Sequence, residues 1–138
     1  MNLQRNGEGT YTWNSTIQRF KQPAIFTGHY ENGQRTHGTL RYPDGSVYAG
    51  NFLNGLRQGK GTYTYNDGQV YSGEWVEDLK HGNGEWILND GSESSIVGHW
   101  SKGKFCEGVW TYADRRGNVV KADVLKNGRL GKYIKWQR

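Results

Sequence analysis

Pairs of large apolar residues flank a glycine at a nearly fixed step along the chain: Phe26-Gly28-Tyr30, Tyr48-Gly50-Phe52, Tyr71-Gly73-Trp75 and a weaker Ile96-Gly98-Trp100. About ten residues after each comes an answering half, Gly38-Leu40-Tyr42, Gly61-Tyr63-Tyr65, Gly84-Trp86-Leu88 and Gly108-Trp110-Tyr112. A repeat of 22 to 25 residues constrains the architecture more than any other feature. A unit this short cannot bury its apolar face alone, so the units must stack on one another.

Within Tyr71 to Leu88, ring and glycine positions alternate with Val70, Ser72, Glu74 and Val76, and a period of two is the signature of a strand. Glu77-Asp78-Leu79-Lys80-His81 reads as a five-residue polar loop, after which Gly82-x-Gly84-x-Trp86 resumes the alternation and completes a β-hairpin. Asp44-Gly45, Asp67-Gly68 and Asp90-Gly91 join the units as tight turns. Only 33% of the residues are apolar while 14% are aromatic, so the buried surface must come chiefly from rings. Glycines on the ring face let those rings lie over bare backbone, each well-buried ring contributing on the order of 2 to 3 kcal/mol.

The ends degrade. Gly9-Thr10-Tyr11-Thr12-Trp13 matches half a unit, and residues 121–138 match a unit that has lost most rings, with Asp123 in place of the first glycine. The chain therefore reads as a single domain: a half unit at 7–13, an inserted surface loop at 14–25, units at 26–47, 48–70, 71–95 and 96–120, and a C-terminal cap at 121–138. The structural positions are Tyr48, Gly50, Phe52, Gly61, Tyr63, Tyr71, Gly73, Trp75, Gly84, Trp86, Gly98, Trp100, Gly108 and Trp110.

The pattern Tyr71-x-Gly73-x-Trp75, then Gly82-x-Gly84, then Asp90-Gly91 resembles the MORN (membrane occupation and recognition nexus) repeat, and Tyr48 to Tyr65 matches it with Phe52 in the Trp position. The resemblance spans about residues 7–136. It implies an all-β fold, an open single-layer antiparallel meander of about five successive hairpins, elongated and twisted. It also implies a place in cytoskeletal or ciliary assemblies, at membrane contacts, or beside catalytic domains. Thr36 and Cys106 depart from it by standing where the first glycine of Gly-x-Gly belongs, and Ile96 replaces the Tyr.

Catalytic groups are not indicated. The recurring Asp44, Asp67 and Asp90 suit turn chemistry, in which the side chain bonds its own backbone. Ser92, Ser94 and Ser95 have no nucleophile elbow, and no Gly-x-Gly opens a helix as a phosphate cradle requires. His29, His37, His81 and His99 show no metal-ligand spacing, so neither a metal nor a cofactor is expected. One cysteine, Cys106, rules out an intramolecular disulfide and fits a reducing compartment. No apolar run reads as a signal peptide or membrane span, and Asn2 stands where myristoylation needs glycine, so the expectation is a soluble cytoplasmic, cytoskeletal or ciliary protein.

Charge is unevenly placed. Residues 100–138 carry ten Lys or Arg against three acids, whereas residues 1–99 carry eight against ten. Lys121, Lys126, Arg129, Lys132, Lys135 and Arg138 form a basic end suited to an acidic protein surface or to anionic phospholipid. Nucleic acid fits less well, because the rings are needed to cover backbone. The expected function is a non-enzymatic scaffold subunit that contacts other proteins of a larger assembly. A peripheral membrane adaptor and an accessory subunit that positions an enzyme are the alternatives.

Overall fold

The structure is a computed structural model that describes residues 6–13, 24–89, 91, 94–124 and 130–135; for 11–13, 122–124 and 130–135 it gives the strand path alone. The strands are β1 Gly7–Trp13, β2 Ala24–Glu31, β3 Gln34–Arg41, β4 Val47–Leu53, β5 Leu56–Thr64, β6 Val70–Val76, β7 Leu79–Ile87, β8 Ser95–Ser101, β9 Lys104–Ala113, β10 Val119–Val124 and β11 Leu130–Lys135. They form one 11-stranded sheet in chain order, each pairing antiparallel with the next. The expected open hairpin meander is what the chain forms.

Register explains the repeat. Gly9, Gly28, Gly38, Gly50, Gly61, Gly73, Gly84, Gly98 and Gly108 are successive cross-strand partners, a single row of glycines running across β1 to β9. At β10 the partner of Gly108 is Val124; Asp123 faces Val109 instead, so Asp123 does not hold the glycine position that the sequence suggested.

The rings lie on this row. A Cβ at Gly61 would overlap the Tyr48 ring, and one at Gly84 would come within 2.6 Å of the Tyr71 ring. Phe26, Tyr48, Tyr71 and Trp100 are each at most 1% exposed, as deep as any core residue although the sheet is a single layer. They interlock edge to face with their neighbours: Phe26 on Phe52 at 5.6 Å, Tyr48 on Trp75 at 5.5 Å, and Tyr71 on Trp100 at 5.0 Å. Each contact joins one repeat to the next, so stability is shared between neighbouring units.

The hairpin loops are shorter than expected. Glu77 and Asp78 alone make the β6–β7 turn, both at positive φ (47° and 70°), and Leu79, Lys80 and His81 belong to β7. Asn32-Gly33, Asn54-Gly55 and Lys102-Gly103 turn the other hairpins in the same way, as paired left-handed residues that match strand twist. The surplus length goes into bulges. Between the Gly73–Gly84 and Trp75–Lys80 pairs one residue of β6 faces three of β7, with Gly82 at φ 73°; β4–β5 repeats this with Gly59 at φ 83°.

Thr36 and Cys106 are explained by the same accounting. In β2–β3 and β8–β9 the bulge is one residue smaller, so no left-handed residue is required at those positions and a glycine is not needed.

The joints after the first two full units are three-residue loops, whereas Leu88 N donates to Ser94 O across a longer one. Tyr42 donates its N–H to the Ser46 carbonyl and accepts from Gly45, and Tyr65, Gln69 and Gly68 repeat the pattern. The Asp44 and Asp67 carboxylates accept from the backbone N–H two residues ahead, at 2.9 and 3.1 Å, which is the turn role read for them. Asp90 lies outside the described residues. Of the stretch 14–25, Ala24 and Ile25 belong to β2, paired with Trp13 and Thr12, and 14–23 lie outside the described residues.

Candidate functional site

A second row of rings, Tyr42, Tyr63, Tyr65 and Trp86, packs against the buried row and keeps part of its surface exposed. Tyr63 and Tyr65 lie 4.7 Å apart, and Tyr65 stacks on Trp86 at 5.3 Å with an interplanar angle of 11°. Cations cover this surface. Arg57 lies 4.6 Å above Trp75 and 5.4 Å from Tyr63; Lys80 lies 4.0 Å above Trp86 and 5.0 Å from Tyr65; Arg35 sits 5.0 Å from Phe52.

Arg35, Arg57 and Lys80 occupy the same place in three successive units, two residues past the hairpin turn. In the fourth unit Phe105 holds that place and packs on Trp100 at 5.2 Å. The repeat column was visible in the sequence; reading the rings alone overlooked it.

These residues also bind the next unit's turn, Arg35 and Arg57 through their guanidinium groups and Lys80 through its carbonyl. Arg57 donates from its backbone N (2.8 Å) and Nε (3.0 Å) to the Asp78 carboxylate, and from a terminal nitrogen to the Asp78 carbonyl at 2.9 Å. Gln58 accepts from Glu77 N at 2.9 Å, which holds the left-handed Glu77-Asp78 turn from both sides. Arg35 reaches the Gly55 carbonyl at 3.1 Å, and the Lys80 carbonyl accepts from Gly103 N at 2.8 Å.

Burial among the rings, and then the nearby Arg57 charge, lower the Lys80 ammonium to a pKa of about 8. Lys80 stands beside a hollow of about 260 Å³ bordered by Arg57, Tyr63, Tyr65, Leu79 and the Asp78 carboxylate that Arg57 already holds, and an anionic group entering it would offset the cost of keeping the ammonium charged. The opposite face carries a shallow trough of about 650 Å³ along the glycine row, lined by small side chains such as Ala49, Thr62 and Ser72 and by Glu74, Glu85 and Lys60. Glu74 there accepts from Asn83 N at 2.8 Å.

The structural positions read from the sequence all lie on strands β4 to β9, and all but Trp110, which packs on Tyr112 at 4.4 Å, fall in the glycine row or the two rows of rings. Lys121 is on β10, Lys132 and Lys135 lie on the path of β11, and Lys126, Arg129 and Arg138 lie outside the described residues. The histidines contain a surprise: His29 and His37, eight residues apart, are direct cross-strand partners with parallel rings 5.2 Å apart, and Glu8 of β1 joins them. Pairing Gly28 with Gly38 would have revealed this, because the next residue outward on each strand is a histidine.

A family model described as MORN repeat matches residues 4–15, 26–47, 48–70 and 71–93. The chain belongs to the MORN-repeat family. Among curated proteins this MORN-repeat chain is similar to Alsin of Rattus norvegicus, 34% identical over 140 residues, covering 88% of this chain and 7% of that protein. Alsin of Mus musculus and of Homo sapiens are 33% and 32% identical over 110 residues, covering 78% of this chain and 5% of each. The chain thus spans less than a tenth of the length of the curated relatives it matches. Among the described residues no helix is long and apolar enough to cross a membrane.

Proposed function

We propose that this chain is a non-enzymatic scaffold subunit that docks an acidic, apolar-anchored segment of another protein on the second row of rings over β5 to β7. MORN repeats form a family of interaction modules rather than enzymes, which is the coarse statement the family match supports. The observation that carries the finer reading is Lys80 lying over Trp86 and Tyr65 beside Arg57. Keeping that ammonium charged among rings is unfavourable, and a partner carboxylate would offset the cost while apolar residues cover the rings. The assembly is proposed to be cytoplasmic and cytoskeletal or axonemal, in keeping with where repeats of this family occur.

The test is native purification of the full chain with identification of bound proteins, repeated with Lys80→Glu and Trp86→Ala. A stoichiometric partner that is lost in both variants, while each still unfolds cooperatively, supports the scaffold. Retention of the partner in both contradicts the docking surface. Liposome flotation with phosphoinositides separates the membrane-adaptor alternative: strong binding that Lys132→Glu with Lys135→Glu abolishes would favour lipid. Copurification of one enzyme whose activity depends on this chain would favour the accessory-subunit alternative.

A further inference from the structure

Glu8, His29 and His37 stand side by side on β1, β2 and β3, on the face opposite the rings. Glu8 Oε1 lies 3.1 Å from His29 Nδ1 and 3.7 Å from His37 Nε2, and one ligand atom from each residue falls within 4.8 Å of the other two. We propose that these three side chains bind a divalent first-row transition ion of the zinc type, with water completing the shell, and that the ion ties the outermost strand β1 to the β2–β3 hairpin.

The donor set is the first reason. Two imidazole nitrogens and one carboxylate oxygen suit zinc and its neighbours, and leave a position open for water. Ligand bonds of about 2.0 to 2.2 Å put tetrahedral ligand atoms roughly 3.4 Å apart. The two separations from Glu8 bracket that value and the two imidazole nitrogens lie within 4.8 Å of each other, so closing the shell needs side-chain rotations. Glu8 and His37 are 70% and 57% exposed and can make them.

The backbone is the second reason. The smaller bulge of β2–β3 keeps His29 and His37 directly opposite, whereas the larger bulges of β4–β5 and β6–β7 leave Asn51 and Glu74 without a direct partner in their own hairpins; Asn51 instead faces His37 from β4 and Glu74 faces Lys60 from β5. In the fourth hairpin the matching pair is His99 and Glu107, flanked by Asn83, so one imidazole is missing there. Glu31 is the third reason. Its carboxylate lies at ion-pair distance, 3.7 Å, from His29 Nε2 while Nδ1 faces Glu8, and a small shift to hydrogen-bond distance would let it orient the ligating imidazole.

Isothermal titration of the metal-stripped full chain with zinc chloride tests the site, using Glu8→Gln, His29→Gln and His37→Gln, with His99→Gln as the control. One zinc per chain is expected, bound at least about tenfold more weakly by each of the three variants and unchanged in the control. Amide exchange across Gly7–Trp13 is expected to slow when zinc is added. Absence of zinc binding by the unaltered chain overturns the site, as does full affinity in Glu8→Gln and His37→Gln, whose exposed positions leave folding intact. Zinc uptake with no slowing of exchange in β1 overturns the tether.

Discussion

At the scale of single residues, one carbonyl explains much of the repeat's chemistry. The residue after the first glycine of a unit has its oxygen beside the bulge. In the second unit the Tyr48 hydroxyl donates to Asn51 O at 2.7 Å, and in the third Tyr71 donates to Glu74 O at 3.0 Å. The first unit has Phe26 instead of tyrosine, and there the Thr36 hydroxyl donates to the equivalent His29 O at 3.2 Å. Thr36 thus replaces two things together, the glycine that the smaller bulge does not need and the hydroxyl that phenylalanine lacks. Tyr71→Phe and Thr36→Val are each expected to cost about 1 to 2 kcal/mol, measured by denaturant unfolding, because both orphan the same type of carbonyl. A loss in one and none in the other would break the equivalence.

Ionisation follows from the same hydroxyls. Burial raises Tyr48 and Tyr71 from 10.0 to about 12, so both favour the fold below pH 10, and that contribution is lost as pH rises toward 12. Lys80 has the opposite sign: its folded value of about 8 lies below the ordinary 10.5, so folding stability should rise between those values. Unfolding free energy measured against pH should climb above pH 8 and fall beyond pH 10, and Lys80→Met should flatten the climb. A profile unchanged by Lys80→Met would place that titration elsewhere.

At the scale of the hairpin, the sequence revealed the strands and misplaced the loops. Period-two alternation is a side-chain property and survives in any reading of Tyr71 to Trp75. Whether Leu79-Lys80-His81 is loop or strand depends on where two surplus residues are absorbed, and Gly82 absorbs them as a bulge. The clue was the glycine spacing, one residue longer in the units that carry Gly59 and Gly82 than in those with Thr36 and Cys106. Arg57 couples neighbouring hairpins, and its charged hydrogen bonds to Asp78 hold a turn made of two non-glycine residues at positive φ. Arg57→Ala is expected to destabilise by about 1.5 to 3 kcal/mol. Arg57→Lys should recover little, since an ammonium cannot repeat the fork onto both the carboxylate and the carbonyl. Full stability in either variant would contradict the coupling.

At the scale of the whole molecule, the array was the most legible feature, because rings and glycines at a fixed step leave few alternatives to a stacked sheet. The cation row over β5 to β7 and the His29–His37 pair were harder to see. The cation column repeats two residues past each hairpin turn, but its place over the rings, like the facing of His29 and His37, is set by cross-strand register, which spacing along one strand does not give. Trp75, buried between Tyr48 of the preceding unit and Tyr71 of its own, ties two units together, and Trp75→Ala should cost about 3 to 5 kcal/mol in thermal or chemical unfolding.

Whether rings shielding glycine backbone hold the sheet together can be measured at Gly84, where the three nearest atoms to an added Cβ all belong to the Tyr71 side chain. The measurement is a double-mutant cycle of Gly84→Ala with Tyr71→Leu, followed by denaturant unfolding; leucine lacks the Cε2, Cζ and hydroxyl atoms that the new methyl would meet. Gly84→Ala alone should cost about 1 to 3 kcal/mol, and most of that cost should vanish in the leucine background. Additive costs in the two backgrounds would contradict the account.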